Sequence, residues 1–210
     1  MTEISKPLDW SGLTCVVCAS GPSLTAGQII EVKCAPVKAI VVNRTWELFP
    51  SADVLYACDF LWWKMNYDRI TKEFTGTLWT QDRGAAERWP KIYCLRNEAR
   101  PGLGKAGIRT NGNGGAGAIN LAYLFGVRRI LLVGYDMKLG PAGEKHWHPD
   151  HPKPLVQSQT FDEWKHKFQV FAKELKAAGC EVINCTPGSA LEVFPRSTLE
   201  KELVCLSPTS

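Results

Sequence analysis

The fold of this chain is decided by residues 13–24, which read LTCVVCASGPSL. An apolar run of strand length, Leu13–Ala19, leads directly into a turn of small and polar residues that begins at Ser20. Short apolar runs of this kind alternate with longer amphipathic runs, and this alternation predicts strands interleaved with helices. We therefore expect a single α/β domain over residues 1–210, with helices on both faces of a mainly parallel sheet. Residues 206–210 are expected to be a loose tail.

Seven apolar runs are candidates for the strands of this sheet: Leu13–Ala19, Ala39–Val42, Val54–Cys58, Thr77–Thr80, Ile92–Leu95, Arg129–Val133 and Glu181–Asn184. Three amphipathic runs are candidates for helices: Phe60–Phe74, Ala116–Phe125 and Phe161–Ala178. In the third run, large apolar residues recur every three or four positions, which places them on one face of a helix. Gly179 marks the end of that helix, because glycine is the residue that most often follows a helix C-terminus.

Composition and charge exclude several classes of protein. Hydrophobic residues make up 45% of the chain and charged residues 22%, as in ordinary globular proteins. The net charge of +4 is too small to indicate nucleic-acid binding. No apolar run approaches the roughly 20 residues that cross a bilayer, and residues 1–6 lack the apolar core of a signal peptide. We expect a cytoplasmic protein without a membrane span.

The eight cysteines are scattered along the sequence, and several lie inside apolar runs. Cys15 and Cys18 have the spacing of a redox pair, but they lie within the first predicted strand. Residues three positions apart in a strand point to opposite faces of the sheet, so these two thiols should point apart. We therefore expect buried, reduced thiols rather than disulfides.

Small and polar residues follow five of the seven predicted strands. Parallel α/β sheets bind ligands beyond the carboxyl ends of their strands, so these residues are candidates for one shared cleft. In chain order they are Ser20 to Leu24, Asn43 and Arg44, Asp59, Gly134 to Asp136, and Cys185 to Ser189.

A glycine-rich segment is a second candidate for ligand binding. Residues 102–117 contain seven glycines, and the sequence NGNGG at residues 111–115 leads into the helix predicted at Ala116. Glycines let the backbone approach a ligand closely, and the N-terminus of a helix attracts anions. The preceding residues 83–109 carry seven basic residues against two acidic ones, which suits a phosphorylated ligand. A flexible solvated loop is the alternative; neither a Walker loop nor a dinucleotide-binding fingerprint is present.

Three of the four histidines lie in residues 146–151, which read HWHPDH. In one interpretation His146, His148, Asp150 and His151 hold metal ions, as in metallo-β-lactamase-like hydrolases. That family needs further histidine and aspartate ligands downstream, where only one histidine follows here, so we assign no metal. A histidine that acts as a general base is the interpretation we favour, with Asp136 available to orient the imidazole. A surface loop ordered by its histidines is the third.

The order of these motifs resembles that of two related groups of enzymes. One is the bacterial sialyltransferases that use CMP-sialic acid, and the other is the archaeal hydroxymethylpterin pyrophosphokinase-like family. The resemblance covers about residues 13–195 and rests on Ser20 to Leu24, Val42 to Arg44, Leu55 to Asp59, Asn113 to Gly115, Gly126 to Asp136, the histidine loop and Asn184 to Ser189. The pair of motifs at residues 134–137 and 146–151 also resembles uncharacterised proteins of tailed phages and prophages.

The resemblance to the sialyltransferases implies a Rossmann-like fold, a metal-independent mechanism and a role for each matching residue. Ser20 and Gly21, in one turn with Pro22 and Ser23, would hold the nucleotide phosphate. The resemblance implies that Asn43 and Asp59 contact the ribose or the sugar, and that Asn113 and Gly114 contact the nucleotide and the donor. It also implies that Gly134 packs under the nucleobase and that His151 or His148 acts as the general base. The chain also departs from that family. Ser20 and Asp59 stand where the family has asparagine, the family's two tyrosines that steady the leaving phosphate have no clear counterparts here, and the loop after Asp136 is shorter.

We therefore expect a glycosyltransferase-like enzyme that uses a nucleotide-sugar donor and no other cofactor, with a glycan or a modified nucleobase as acceptor. One alternative is a phage protein that binds a nucleotide or modifies DNA without glycosyl transfer. The other is a pyrophosphokinase that uses Mg-ATP, with Asp59 and Asp136 as natural ligands of Mg²⁺.

Overall fold

The computed structural model describes residues 5–149 and 160–206. The strands are β1 (Thr14–Cys18), β2 (Lys38–Val42), β3 (Val54–Tyr56), β4 (Thr77–Thr80), β5 (Ile92–Cys94), β6 (Arg129–Val133) and β7 (Glu181–Asn184). The helices are α1 (Ala26–Cys34), α2 (Phe60–Glu73), α3 (Arg83–Arg88), α4 (Gly114–Leu124), α5 (Phe161–Ala177) and α6 (Leu199–Val204). A 3₁₀ turn, Asn43–Glu47, follows β2.

All seven predicted strands and all three predicted helices are confirmed. The sequence did not predict α1, α3 and α6, which are 9, 6 and 6 residues long. Helices this short do not repeat their apolar pattern often enough to be recognised. Each begins at a capping residue, and these are Thr25, Asp82 and Thr198. Capping side chains were therefore the available signal.

The seven strands form one parallel sheet in the order β5-β4-β3-β2-β1-β6-β7. The chain first adds strands on one side of β1 and then, after β5, crosses to the other side to place β6 there. The carboxyl ends of β1 and β6 therefore flank the point where the strand order reverses. In open parallel sheets this is the position at which ligands bind.

Helices cover both faces of the sheet, so the expectation of a three-layer α/β fold is confirmed. One apolar cluster joins a face of the sheet to α4 and α5, and the other joins the opposite face to α1, α2 and α6. Cys15 belongs to the first cluster and Cys18 to the second, as strand geometry requires. All eight cysteines are free. Cys34 and Cys205 are exposed, which is contrary to the expectation of burial.

Helix α4 lies in the connection between β5 and β6 and is buried along most of its length. Every residue from Gly115 to Ala122 is buried, since the helix packs on the centre of the sheet near β1 and β2. In the described part of the chain, no helix is both long and apolar enough to cross a membrane. Most of the predicted tail, residues 207–210, lies outside the described residues.

The packing of α5 yields a test of the fold. Phe168 is fully buried in the first cluster, whereas Val170 on the same helix is 44% exposed. We expect Phe168→Ala to lower the free energy of unfolding by about 3–5 kcal/mol, and Val170→Ala to change it by less than about 0.5 kcal/mol. Urea denaturation followed by tryptophan fluorescence measures both, and equal effects would contradict the placement of this helix.

Candidate functional site

A cleft of about 770 Å³ lies at the carboxyl edge of the sheet. This volume falls in the range of about 300–1,000 Å³ typical of small-molecule sites. Residues that follow β1, β2, β3, β4 and β6 line the cleft, together with the N-terminus of α4 and parts of α5 and the histidine loop. The segment after β7, which the sequence also predicted to contribute, instead supports the cleft from behind: the Thr186 hydroxyl accepts a hydrogen bond from the backbone N–H of Tyr135.

The turn after β1 is pressed against the segment after β6. The backbone N–H of Gly21 donates to the carbonyl of Gly134 at 2.9 Å. A Cβ atom on Gly21 would lie 1.9 Å from Oδ2 of Asp136 and 2.4 Å from the carbonyl oxygen of Gly134. Only glycine fits at this position. The close approach holds Asp136 beside the turn that the sequence predicted to bind phosphate.

Asp136 is a buried carboxyl group with one oxygen that has no hydrogen-bond partner among the described residues. The residue is 5% exposed, and its Oδ1 accepts the backbone N–H of Ser23 at 3.2 Å. Its Oδ2 has no hydrogen-bond partner among the described residues. Burial raises the pKa of this carboxyl group above its ordinary value, and the hydrogen bonds from Ser23 partly oppose the rise. Asp136 also lines the cleft, which makes this carboxyl group a candidate for contact with a ligand.

Ser20 lines the cleft, but its hydroxyl is engaged elsewhere. The hydroxyl bonds to the carbonyl of Val42 at 3.2 Å and to the hydroxyl of Thr45 at 3.1 Å, which ties the end of β1 to the end of β2. Pro22 and Ser23 of the same turn do not line the cleft. The surface that this turn offers to a ligand therefore comes from the backbone around Ser20 and Gly21.

The N-terminus of α4 faces the middle of the cleft. Asn113 caps the helix, because its Oδ1 accepts the backbone N–H of Ala116 at 3.1 Å. A Cβ on Gly114 would contact Val42, Asn43 and Cys58 at 3.5–3.7 Å, which places the helix end over the exits of β2 and β3. The N–H groups of the first turn give this end a partial positive charge, so the middle of the cleft favours an anion.

Other glycines of the glycine-rich segment have a packing role. A Cβ on Gly115 would lie 2.8 Å from the ring of Tyr135, and one on Gly117 would lie 2.4 Å from the hydroxyl of Tyr56. These glycines let α4 approach the sheet closely. The interpretation of the whole segment as a phosphate loop is therefore too broad, and Gly112 and Gly114 are the better candidates for ligand contact.

The basic residues predicted to attract an acidic ligand do not reach the cleft. None of the seven in residues 83–109 belongs to its lining. Arg83 pairs with Glu87 and Arg109 pairs with Glu98, so part of this charge is neutralised locally. Among the described residues, the cationic side chains that line the cleft are Lys138 and Lys145, which the sequence analysis did not select.

The histidine loop lies against the turn after β1. The backbone N–H of Trp147 donates to the carbonyl of Ser20 at 3.1 Å, and its indole N–H donates to the hydroxyl of Thr45 at 3.4 Å. These contacts bring together two segments that the sequence predicted to share a site although they are more than 120 residues apart. A general base in this loop would therefore lie near the turn.

The histidines of the loop differ in their access to the cleft. His146 lines it, whereas His148 is 6% exposed, does not line it, and has its Nδ1 2.7 Å from the carbonyl oxygen of Pro149. The two imidazole rings stack, with centroids 4.9 Å apart. Asp150 and His151, the latter the preferred base in the sequence analysis, lie outside the described residues. The sequence analysis considered His146 only as a metal ligand.

The far end of the cleft, over β3 and β4, is acidic. Asp59 precedes α2 but makes no capping hydrogen bond, and it lines the cleft. Asp82 accepts the backbone N–H groups of Ala85 at 2.9 Å and Phe60 at 3.2 Å. Desolvation in this concave surface and the nearby charge of Asp82 raise the pKa of Asp59. The sequence analysis missed Gln81 and Asp82, because it did not include the polar residues that follow the fourth strand among the candidates for the cleft.

The strand order separates the two carboxylates that were considered as Mg²⁺ ligands. Asp59 follows β3 and Asp136 follows β6, and β1 and β2 lie between those strands. Three steps of about 4.8 Å place the ends of these two strands ~14 Å apart, so the two carboxylates follow well-separated strands. The described residues contain no group of three or more side chains suited to hold a metal ion.

Comparison with known proteins supplies a similar fold but no family. No protein-family model matches the chain, and neither does any curated protein. Among solved structures, the MAf glycosyltransferase from Magnetospirillum magneticum AMB-1 matches with a TM-score of 0.62 and 14% sequence identity. The match covers 91% of this chain and 35% of that one, so this chain spans about a third of the other protein's length. The chain therefore shares an α/β fold with the matched part of that protein.

The close approach at Gly21 predicts the effect of a single methyl group. We expect Gly21→Ala to destabilise the protein by about 1–3 kcal/mol, because the added atom overlaps Asp136 and Gly134. Gly27→Ala in α1 is the matched control, since its nearest neighbour would lie 3.7 Å away. The control should be neutral or stabilising by up to about 1 kcal/mol. Urea denaturation of both variants checks this, and a Gly21→Ala protein as stable as the control would contradict it.

The raised pKa of Asp136 predicts a stability change that depends on pH. Because the native carboxyl group binds its proton more tightly than the unfolded one, stability falls as pH rises from about 3.8 through the native pKa. Asp136→Asn removes that loss, so the variant should be more stable than wild type at pH 7 and no more stable below pH ~3.8. Asp68→Asn, at an exposed position on α2, is the control for an Asp→Asn change. Denaturation between pH 3 and 8 measures the difference, and a gain that does not depend on pH would contradict the assignment.

Proposed function

We propose that this protein is a glycosyltransferase that binds a nucleotide-sugar donor in the cleft. One observation carries the proposal: the turn after β1, the N-terminus of α4 and the histidine loop converge on one cleft at the reversal point of the parallel sheet. Backbone that can approach a ligand, a helix end that favours an anion and imidazole side chains are the parts that such a transfer needs.

The phosphate of the donor would lie at the N-terminus of α4. Asn43 and Asn113 flank this point, and the oxygen of Asn113 is already engaged with the helix, so its amide N–H groups remain for a ligand. Lys138 and Lys145 add positive charge at the side of the cleft near β6. Gly134, which carries no side chain, would leave room for the nucleobase of the donor, as the sequence resemblance implies.

The chemical step would be an attack of the acceptor hydroxyl oxygen on the anomeric carbon of the donor sugar. The bond from that carbon to the phosphate oxygen breaks, and the electron pair leaves on the phosphate. Positive charge at the helix end and the lysines would stabilise the leaving phosphate without a metal ion. The proton of the acceptor hydroxyl would pass to a histidine of the loop.

Three histidines of the loop are candidates for the general base. His151 and His148 are the candidates from the sequence, and His146 becomes a third through its position in the cleft lining. The buried position of His148 makes it better suited to hold the ring of His146, on which it stacks, than to contact a substrate. Asp136, whose Oδ2 has no partner among the described residues, would receive a hydrogen bond from donor or acceptor.

Ligand stabilisation tests the donor class. We expect CMP- or UDP-type nucleotides to raise the melting temperature, and EDTA to leave the effect unchanged; ligand at 100 times Kd stabilises by about 2.7 kcal/mol. Lys138→Ala and Lys145→Ala should weaken binding about tenfold, a loss of roughly 1.4 kcal/mol for a charge-assisted phosphate contact. Lys105→Ala, outside the cleft, is the control. Stabilisation by Mg-ATP alone would favour the pyrophosphokinase alternative and contradict the proposal.

Hydrolysis or transfer of a donor found in that way tests the base. Removing the base should lower the rate by about 10²–10⁴-fold without a matching loss of donor affinity. The variants are His146→Ala, His148→Ala and His151→Ala, with the exposed His166→Ala of α5 as control and a melting curve for each. If all three loop variants keep the wild-type rate, no histidine of this loop is the base.

A further inference from the structure

We propose that the acidic end of the cleft, formed by Asp59, Gln81, Asp82 and Trp62, binds an uncharged, hydroxyl-rich donor sugar and rejects a sugar that carries a carboxylate. The inference rests on the proposed function and names its substrate class. It differs from the CMP-sialic acid donor that the sequence resemblance implies, because sialic acid carries a carboxylate.

Charge is segregated along the cleft. Lys138 follows β6, whereas Asp59 follows β3 and Asp82 follows β4. Since β6 lies three strands from β3 and four from β4, the ends of these strands are separated by roughly 14–19 Å. The N-terminus of α4 lies between them, over the exits of β2 and β3. A phosphate at the helix end would therefore have positive side chains on one side and carboxylates on the other.

The hydrogen-bonding groups at the acidic end leave one acceptor and one buried donor without a partner side chain. Gln81 accepts from the Tyr56 hydroxyl and donates to the carbonyl of Cys58, and Asp82 accepts two backbone N–H groups. The side-chain carboxylate of Asp59 makes no capping hydrogen bond to α2. The indole N–H of Trp62, in a residue that is 2% exposed and lines the cleft, has no hydrogen-bond partner there. Hydroxyl groups, which both donate and accept, match this pair.

A carboxylate at this end would meet like charge. Burial and, after it, the nearby negative charge of Asp82 raise the pKa of Asp59. A third negative group within a few ångströms would be disfavoured in the partly dehydrated cleft. A neutral sugar avoids this repulsion and can donate its hydroxyl protons to Asp59. Asp59 would thus be a specificity-determining residue.

Two sugar nucleotides that differ in one group test the inference. UDP-glucuronate carries a carboxylate where UDP-glucose has a hydroxymethyl group. We expect calorimetric titration to give an affinity for UDP-glucose at least about tenfold higher than that for UDP-glucuronate. In Asp59→Asn the gap should shrink to about threefold or less, because the affinity for UDP-glucuronate rises. CMP-N-acetylneuraminate should bind wild type no better than CMP and should gain affinity in the same variant. Asp68→Asn on the exposed face of α2 should leave every affinity unchanged.

The outcomes separate the two proposals. If UDP or CMP binds but UDP-glucose and UDP-glucuronate bind equally well, the inference about the acidic end is wrong and nucleotide binding still stands. The same holds if CMP-N-acetylneuraminate binds more tightly than both CMP and UDP-glucose. If no nucleotide binds, the proposed function fails together with the inference.

Discussion

The turn after β1 and the segment after β6 meet at a distance that excludes any side chain at Gly21. The rest of the site depends on this contact. It sets the backbone of the turn against Gly134, holds the buried carboxyl group of Asp136 beside the cleft, and provides the carbonyl of Ser20 on which the histidine loop docks. The contact itself follows from topology, since β1 and β6 are neighbours in a parallel sheet whose strand order reverses between them.

Elements with a local signal could be predicted from the sequence. Runs of apolar residues predict the strands, and the periodic spacing of apolar residues predicts the long helices. In α5 this pattern repeats over 17 residues. The 6-residue helices α3 and α6 have too few turns to show a period, and only their capping residues indicate them. The strand order is a property of tertiary contacts, and no local pattern specifies it.

The same limit explains what the sequence revealed about the site. The residues that follow strands could be identified as candidates, but their mutual distances depend on the order of the sheet. Asp59 and Asp136 look alike in sequence, yet two intervening strands keep them apart. The glycines before α4 are equally ambiguous, because a glycine required by a packed tyrosine is indistinguishable in sequence from one required by a phosphate. Lys138 and Lys145 reach the cleft through folding of the loop after β6.

The glycines that let α4 pack on Tyr135 and Tyr56 have a consequence for recognition. They fix the helix by contacts with the interior of the protein, so the direction of its N-terminal N–H groups is set before any ligand arrives. When an anion binds there, the protein loses little conformational entropy, so less of the binding free energy is spent on ordering the site. Because of this preorganisation, a change in the packing of the interior also changes the binding surface. A methyl group added to Gly117, out of reach of the ligand, would displace the helix end that receives it.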